Sequence, residues 1–229
     1  LEYYYKQQET KIKLMDPKLQ EAAYRELDIA MEFSKNTKYK NLDPKAKEVV
    51  FNNQLQIEAE NTRLQELEKL TKKSDQKGRP TNAQQQAEVD IQASIDKINE
   101  LENENKKEVD ILDYNTTGQA IIKNINESKE GEFKNKNAKS FKTKKDFKEF
   151  ITNKFKGKTI PKEYQNFLDG DSNGVVITEN GIDNAFFINE RVAKNIRKGD
   201  AFAKNVIHHE ATHMLLSGMD DKTVQQTVN

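Results

Sequence analysis

The chain has 229 residues, of which 34% are hydrophobic and 33% are charged, and its 38 basic residues balance 38 acidic residues. The mean hydropathy of -0.98 is too low for one compact core over the whole length, so we expect a small globular part joined to an elongated, solvated part. The balanced charge provides no long-range attraction for nucleic acid or an anionic membrane, and no apolar run is long enough to span a bilayer. The absence of cysteine excludes disulfides, thiolate metal sites and a cysteine nucleophile.

The first half of the chain predicts long helices. One helix is predicted over residues 17–33 and another over residues 44–72, because each range begins with an aspartate N-cap followed by proline at the first helical position. The two pairs are Asp16-Pro17 and Asp43-Pro44. After the turn SDQKGRPT, Thr81 can cap a further helix that extends to about residue 108.

Thin apolar stripes at heptad spacing follow the second and third of these helices, which predicts an antiparallel, coiled-coil-like hairpin. The stripes contain Val50, Ile57, Leu64, Leu67 and Leu70, then Ala87, Ile91, Ile98 and Leu101. Polar residues interrupt them at or near the seam, namely Asn53, Glu60, Ser94 and Asn105. We assign residues 1–115 to this helical arm, which is typical of a structural spacer or docking arm and is expected to bind protein partners.

Residues 116–156 are predicted to be a helical connector, in which short helices flank the lysine- and asparagine-rich loop NESKEGEFKNKNAKSFKTKKD. Phenylalanines among basic residues are one pattern that binds single-stranded nucleic acid by stacking. We instead expect Phe147, Phe150 and Phe155 to be core residues, because they share one helical face and the balanced charge supplies no field for nucleic acid.

The C-terminal part predicts a β-hairpin, because the runs GVVIT and NAFFI, rich in β-branched and aromatic residues, surround the turn ENGID. A short helix is expected from a cap at Asn189 to about Lys198, before Gly199. Asp200 is expected to cap the next helix, which contains the histidines and ends at Gly218.

The stretch DGDSNG before the hairpin matches the opening of a calcium loop. Such a loop requires a bidentate glutamate at its twelfth position and a helix after it, but the twelfth position is Asn180 and a strand is predicted to follow. We interpret the stretch as a polar turn, with a weak surface cation site at Asp169, Asp171 and Asn173 as the alternative.

All three histidines of the chain lie in the stretch NVIHHEATHMLLSG. On a helix, His209 and His213 project from the same face one turn apart, so both imidazoles can reach one ion, and zinc suits such a pair. Glu210 is then beside the ion, where a general base for a water belongs. His208 has Thr212 four residues further on, so we interpret it as a neighbour of the site and not as a ligand.

The segment His209-Glu210-Ala211-Thr212-His213 is the H-E-x-x-H pattern, and together with the preceding hairpin and helix it resembles the zincin superfamily of zinc metallopeptidases. The resemblance implies an α+β fold, with a small zincin-like core in residues 157–229 after the helical arm. It also implies Zn²⁺ as cofactor, His209 and His213 as ligands, and Glu210 as the base that activates water for attack on a peptide carbonyl. The hairpin would hold the peptide or protein substrate as an added strand.

The third zinc ligand is left open by this resemblance. The metzincin extension would place glycine at position 216 and histidine or aspartate at position 219, but the sequence has Leu216 and Met219. In gluzincin-like families the ligand is an acidic residue on a later helix. The candidates are Asp220, Asp221 and a residue beyond Asn229, and we expect the chain to be a fragment that is truncated within this core.

We therefore predict zinc-dependent peptide-bond hydrolysis. The alternative is a structural or interaction protein of a larger assembly, for example a phage virion component, in which the zincin-like module is inactive or accessory. The asparagine-, lysine- and glutamine-rich sequence is similar in style to phage polyvalent or virion-carried proteins and to bacterial toxins. In that setting the absence of cysteine favours a reducing compartment or a virion interior.

Overall fold

The computed structural model describes residues 2–72, 81–128 and 130–216. The chain divides into two compact units, Leu1–Val109 and Asp110–Asn229. The fold is rich in helix and contains a three-stranded sheet, which agrees with the predicted α+β class at this coarse level. Among the described helices, none has the length and apolar character needed to cross a membrane.

The helices and strands follow one another in this order. The first unit contains α1 (Glu2–Lys13), α2 (Pro17–Lys35), α3 (Thr37–Lys40), α4 (Pro44–Thr71) and the first part of α5 (Asn82–Glu127). The second unit contains the rest of α5, then β1 (Lys136–Phe141), α6 (Lys144–Lys154), α7 (Lys162–Asp169), β2 (Gly174–Glu179), β3 (Ile182–Ile188), α8 (Asn189–Arg197) and α9 (Val206–Leu216).

The helices predicted to start after Asp16 and Asp43 do so. The carboxylate of Asp16 accepts a hydrogen bond from the N–H of Lys18 at 2.9 Å, and that of Asp43 accepts bonds from the N–H groups of Lys45 and Ala46 at 2.9 and 3.0 Å. These bonds satisfy amides that have no partner within the first turn of a helix. Helices α1 and α3 were not predicted from the sequence, and α5 continues well past the predicted end near residue 108.

Helices α4 and α5 run antiparallel. The carbonyl of Thr71, at the end of α4, accepts a hydrogen bond from Gln84 near the start of α5, and Asn53 donates to Asn105 at 3.0 Å further along the two helices. The predicted turn SDQKGRPT, apart from its last residue, lies outside the described residues. Four of the predicted seam residues are buried, namely Val50, Ile57, Ala87 and Leu101. The predicted polar interruptions at Asn53, Ser94 and Asn105 are buried as well.

The sheet of the second unit has the strand order β1-β3-β2, with β1 parallel and β2 antiparallel to β3. The predicted hairpin is present as β2 and β3. Its two turn residues, Asn180 and Gly181, have φ angles of 51° and 76°, and positive φ at both positions is what a two-residue type I′ turn requires. The prediction was wrong for Lys136–Phe141, because these residues form strand β1 where a loop was expected.

Helices cover both faces of this sheet. On one face, Ala185 and Phe187 of β3 belong to a core formed with α5, α8 and α9, and on the other, Phe186 and Ile188 pack with α6 and α7. The outer edge of β1 is occupied by Asn126 of α5, whose amide donates to the carbonyl of Ala138 and accepts from its N–H, both at 2.9 Å. The side chain thereby satisfies the outward backbone groups of Ala138 on this edge of the sheet.

Helix α9 lies on the first face and buries Ile207, Ala211 and Met214, which are spaced by one helical turn. Gly118 of α5 allows this packing, because a Cβ there would lie 2.3 Å from Cδ1 of Ile207. The predicted cap of α9 was wrong, since the carboxylate of Asp200 accepts a hydrogen bond from the N–H of Phe202, in a turn that precedes the helix.

The predicted cap of α8 was also wrong. Asn189 is the first residue of the helix itself, and the residue before it, Ile188, occupies the cap position. The side chain of Asn189 instead accepts a hydrogen bond from the hydroxyl of Tyr114 at 2.9 Å. The end of α8 at Arg197, shortly before Gly199, is close to the predicted one.

Candidate metal centre

The solvent-facing side of α9 brings two of the three histidines together. The Nε2 atoms of His209 and His213 are 2.9 Å apart, and the two rings are nearly perpendicular, with centroids 4.4 Å apart. Both side chains are exposed, because the opposite face of the helix carries the buried residues. The predicted pair therefore lies on one helical face with its ring nitrogens converging.

The distance between these nitrogens can be tested against the needs of zinc. Two imidazole nitrogens that each bind one zinc ion at about 2.0–2.1 Å cannot be more than about 4.2 Å apart, and tetrahedral coordination separates them by about 3.3–3.4 Å. The 2.9 Å between the Nε2 atoms of His209 and His213 meets the first limit and is a few tenths of an ångström short of the second. The pair therefore satisfies the limit for two ligands of one ion, and at 2.9 Å the two nitrogens are also within hydrogen-bond distance of each other.

Glu210 lies between the helix and strand β2. Its side chain is half-buried, and a Cβ added at Gly174, the first residue of β2, would be 3.1 Å from its Cγ. Burial raises the pKa of the Glu210 carboxyl above its ordinary value, and positive charge on His209 and His213 opposes this effect. A carboxylate with a raised pKa beside two histidines is suited to accept and hold a proton.

Strand β2 forms an edge of the sheet next to Glu210. The hairpin closes at Glu179 and Ile182, which fixes the alternation of hydrogen bonds along the strand pair. The backbone N–H and C=O groups of Gly174, Val176 and Thr178 consequently point away from β3. In the part of the chain that the structure describes, no hydrogen bond reaches these outward groups.

His208 lies apart from the pair, as its position in the sequence predicted. It lines a cavity of about 220 Å³ together with Asp110, Asp113 and Lys204, and neither His209 nor His213 lines that cavity. Its carbonyl accepts a hydrogen bond from the hydroxyl of Thr212 at 2.9 Å. The structure therefore separates His208 from the converging nitrogens.

The predicted third ligand lies outside the described residues, since Asp220 and Asp221 are not among them, and the predicted helix end at Gly218 is not either. Across residues 2–72, 81–128 and 130–216, no group of three or more histidine, cysteine or acidic side chains is arranged to hold a metal ion. This applies equally to the stretch DGDSNG, where the amide oxygen of Asn173 accepts a hydrogen bond from Asn195 at 2.7 Å.

Two residues that contact α9 at the candidate site were not predicted from the sequence. Gly174 leaves the space that Glu210 occupies, and Lys136 of β1 donates a hydrogen bond to the carbonyl of Met214, next to His213. The only signal for Gly174 was its place at the start of a predicted strand, where glycine often marks a close approach. No local pattern distinguishes Lys136 from the lysines around it.

Comparison with known proteins adds no relative. No family model, no curated protein and no solved structure matches the chain. The resemblance to zincins therefore depends on the H-E-x-x-H residues and their surroundings.

Proposed function

We propose that this chain is a zinc-dependent peptidase of the zincin type, which hydrolyses peptide bonds in a peptide or protein substrate. The observation that supports this most directly is the 2.9 Å separation of the Nε2 atoms of His209 and His213. The proposal adds Glu210 as general base, and a third ligand supplied by Asp220, Asp221 or a residue beyond Asn229. It also assigns residues 157–229 to a zincin-like core.

His209 and His213 would hold the ion through their Nε2 atoms. Bound zinc supplies a Lewis acid that polarises the scissile carbonyl and acidifies a water molecule. Glu210 removes a proton from the attacking water as the new C–O bond forms, and delivers that proton to the amide nitrogen as the C–N bond breaks. The half-buried position of its carboxyl supports both steps, because burial favours the protonated form between them.

The outward backbone groups of β2 would bind the substrate. An extended peptide can add to a free sheet edge through main-chain hydrogen bonds, here at Gly174, Val176 and Thr178. Gly174 also adjoins Glu210, so a peptide paired along β2 would pass close to the general base. Binding of this kind recognises extended backbone first and side chains second.

Zinc content and hydrolysis test the proposal. Dialysed wild-type protein should contain one zinc ion per chain by elemental mass spectrometry, and His209→Ala or His213→Ala should lose it. His208→Ala is the matched control, because it removes an adjacent histidine outside the pair and should keep the metal. Glu210→Gln should also keep zinc but lose cleavage of a mixture of fluorescence-quenched peptides, and cleavage that survives this change would contradict the mechanism.

The third ligand can be located in the same way. If Asp220 or Asp221 completes the site, Asp220→Asn or Asp221→Asn should lower the zinc affinity by at least tenfold, because a charged ligand is replaced by a neutral one. If both variants bind zinc as the wild-type chain does, neither aspartate is the ligand. A longer chain that continues past Asn229 should then bind zinc more tightly.

The second candidate function is that of a structural or interaction protein, with the zincin-like module as an accessory. The antiparallel helices α4 and α5 of the first unit favour it, because coiled-coil-like pairs commonly serve as spacers or docking arms. We take this arm to bind other proteins in either case. A folded chain that continues past Asn229 and still retains no zinc would favour the second function over the first.

A further inference from the structure

The stretch that leads into strand β2 is held by a buried arginine of α8. Arg191 is only 9% exposed, and its guanidinium donates hydrogen bonds to the carbonyls of Phe167 and Leu168 at 2.8 and 2.6 Å. The same guanidinium also donates to the carbonyl of Ser172 at 3.2 Å. Arg191 therefore ties the end of α7 and the stretch before β2 to one point on α8.

The next residue of this stretch is held by the following turn of the same helix. The side-chain amide of Asn195, four residues after Arg191, donates a hydrogen bond to the amide oxygen of Asn173 at 2.7 Å. Residues four apart lie on the same face of a helix, so α8 presents both donors to the residues just before Gly174. The carbonyl of Asn173 also accepts a hydrogen bond from the N–H of Ile188 at 3.4 Å, so Asn173 is held through its side chain and its backbone.

These contacts determine where β2 begins. Gly174 follows Asn173 directly, and β2 approaches Glu210 at this residue, since a Cβ added there would lie 3.1 Å from Cγ of Glu210. The same Cβ would lie 2.9 Å from a ring carbon of Phe187, so Gly174 is packed closely against both neighbours. The end of an edge strand has a paired strand on one side only and opens more easily than the middle of a sheet. The hydrogen bonds from α8 oppose that opening.

We propose that Arg191 and Asn195 are positioning residues for the proposed peptidase, which fix the start of β2 and, through Gly174, the place of the Glu210 carboxyl. The functional part of this inference rests on the proposed function, because the place of Glu210 has a consequence only for hydrolysis. The structural part, that α8 holds the start of β2, needs no metal and no substrate. Zinc binding should not depend on either residue, because their hydrogen bonds lead to α7 and to the stretch before β2.

Asn195→Ala and Asn173→Ala test this from the two sides of one hydrogen bond. Gln119→Ala is the matched control: Gln119 of α5 donates an amide hydrogen bond of the same length, 2.7 Å, but to the hydroxyl of Ser140 on β1, at the other edge of the sheet. Two measurements are made. Hydrogen exchange of the Val175 amide, which points toward β3, is followed by NMR in metal-free protein, and kcat and KM are determined for zinc-loaded protein with the quenched peptide that wild type cleaves best.

We expect Asn195→Ala and Asn173→Ala each to speed exchange of the Val175 amide by about 2–10-fold, the range for the loss of one hydrogen bond. Each should also lower kcat about tenfold with unchanged zinc content, because a shift of about half an ångström costs about tenfold in rate where 1 Å costs about 10²-fold. Asn173→Asp keeps the accepting oxygen and should exchange as wild type does. Arg191→Met should produce the same two changes, and Asn195→Ala carries the test if Arg191→Met does not fold.

Three outcomes would overturn the inference. They are wild-type exchange of Val175 in both alanine variants, faster exchange with a wild-type kcat, and equal effects on both quantities in Gln119→Ala. If zinc-loaded wild-type protein cleaves no peptide, the proposed function fails and the catalytic role of Arg191 and Asn195 fails with it. The exchange measurement then still decides whether α8 holds the start of β2.

Discussion

Under the proposed function, replacement of Gly174 by alanine should reduce peptide hydrolysis without loss of zinc. An added Cβ would lie 2.9 and 3.0 Å from two ring carbons of Phe187 and 3.1 Å from Cγ of Glu210. Carbon atoms in contact normally lie about 3.5–4.0 Å apart, so the overlap is about half an ångström. Phe187 is fully buried, whereas Glu210 is half-buried on a longer side chain, so Glu210 has more room to move.

The expected effects follow from this overlap. Crowding of a packed site typically costs about 1–3 kcal/mol, so the free energy of unfolding should fall by that amount in urea denaturation. A misplacement of 1 Å can cost about 10²-fold in rate, so a displacement of half that size predicts about a tenfold loss of peptide hydrolysis. Zinc content should be unchanged, because His209 and His213 are not touched.

The double variant Gly174→Ala/Phe187→Leu provides the control. The smaller side chain at position 187 relieves the overlap with the ring but not the overlap with Glu210. We expect Gly174→Ala to cost less stability in the Phe187→Leu background than in wild-type protein. Hydrolysis should not recover in the double variant. Wild-type stability and hydrolysis in Gly174→Ala would refute the close packing of Glu210 against β2 on which this reasoning depends.

Further predictions concern buried polar groups. Because burial raises the pKa of Glu210 in the folded state, the folded protein holds its proton to higher pH than the unfolded chain, and stability falls as pH rises through that window. Metal-free Glu210→Gln should therefore melt no lower than wild type at pH 7 in a thermal scan, and a lower Tm would contradict this. Asn53→Ala removes the partner of Asn105 and should cost about 1–3 kcal/mol in urea, whereas Asn53→Leu/Asn105→Leu should recover most of that loss. Arg191 donates hydrogen bonds to two carbonyls at the end of α7, at 2.8 and 2.6 Å. Arg191→Met should therefore lower the free energy of unfolding by about 1.5–3 kcal/mol in the same assay. A change below about 0.5 kcal/mol, the size typical of an exposed surface substitution, would contradict this role of Arg191.

Local sequence patterns were sufficient to predict several elements of the fold. The starts of α2 and α4 follow from an aspartate whose carboxylate satisfies nearby amides, and this depends on residues no more than three apart. The hairpin follows from Asn180 and Gly181, which adopt positive φ easily. The convergence of His209 and His213 follows from the helical repeat. In each case the decisive contacts are close in sequence.

Elements that depend on distant residues were missed. Strand β1 has the sequence KNAKSF, whose polar character resembles the surrounding loop, and it forms because it pairs with β3 and is held on its outer edge by Asn126. The same applies to α5, which continues beyond the predicted end because Ile122 and Ile125 are buried in the core of the second unit. Lys136 and Asp183 form an ion pair only once strands β1 and β3 are paired, so neither could be recognised beforehand.

The side-chain amide of Asn126 makes the two edges of the sheet differ in their free hydrogen-bonding groups. On β1 it occupies the outward backbone groups of Ala138, whereas within the described residues no hydrogen bond reaches the outward groups of Gly174, Val176 and Thr178 on β2. A substrate peptide of the proposed kind and any other extended chain that adds to this sheet would then compete for the edge at β2.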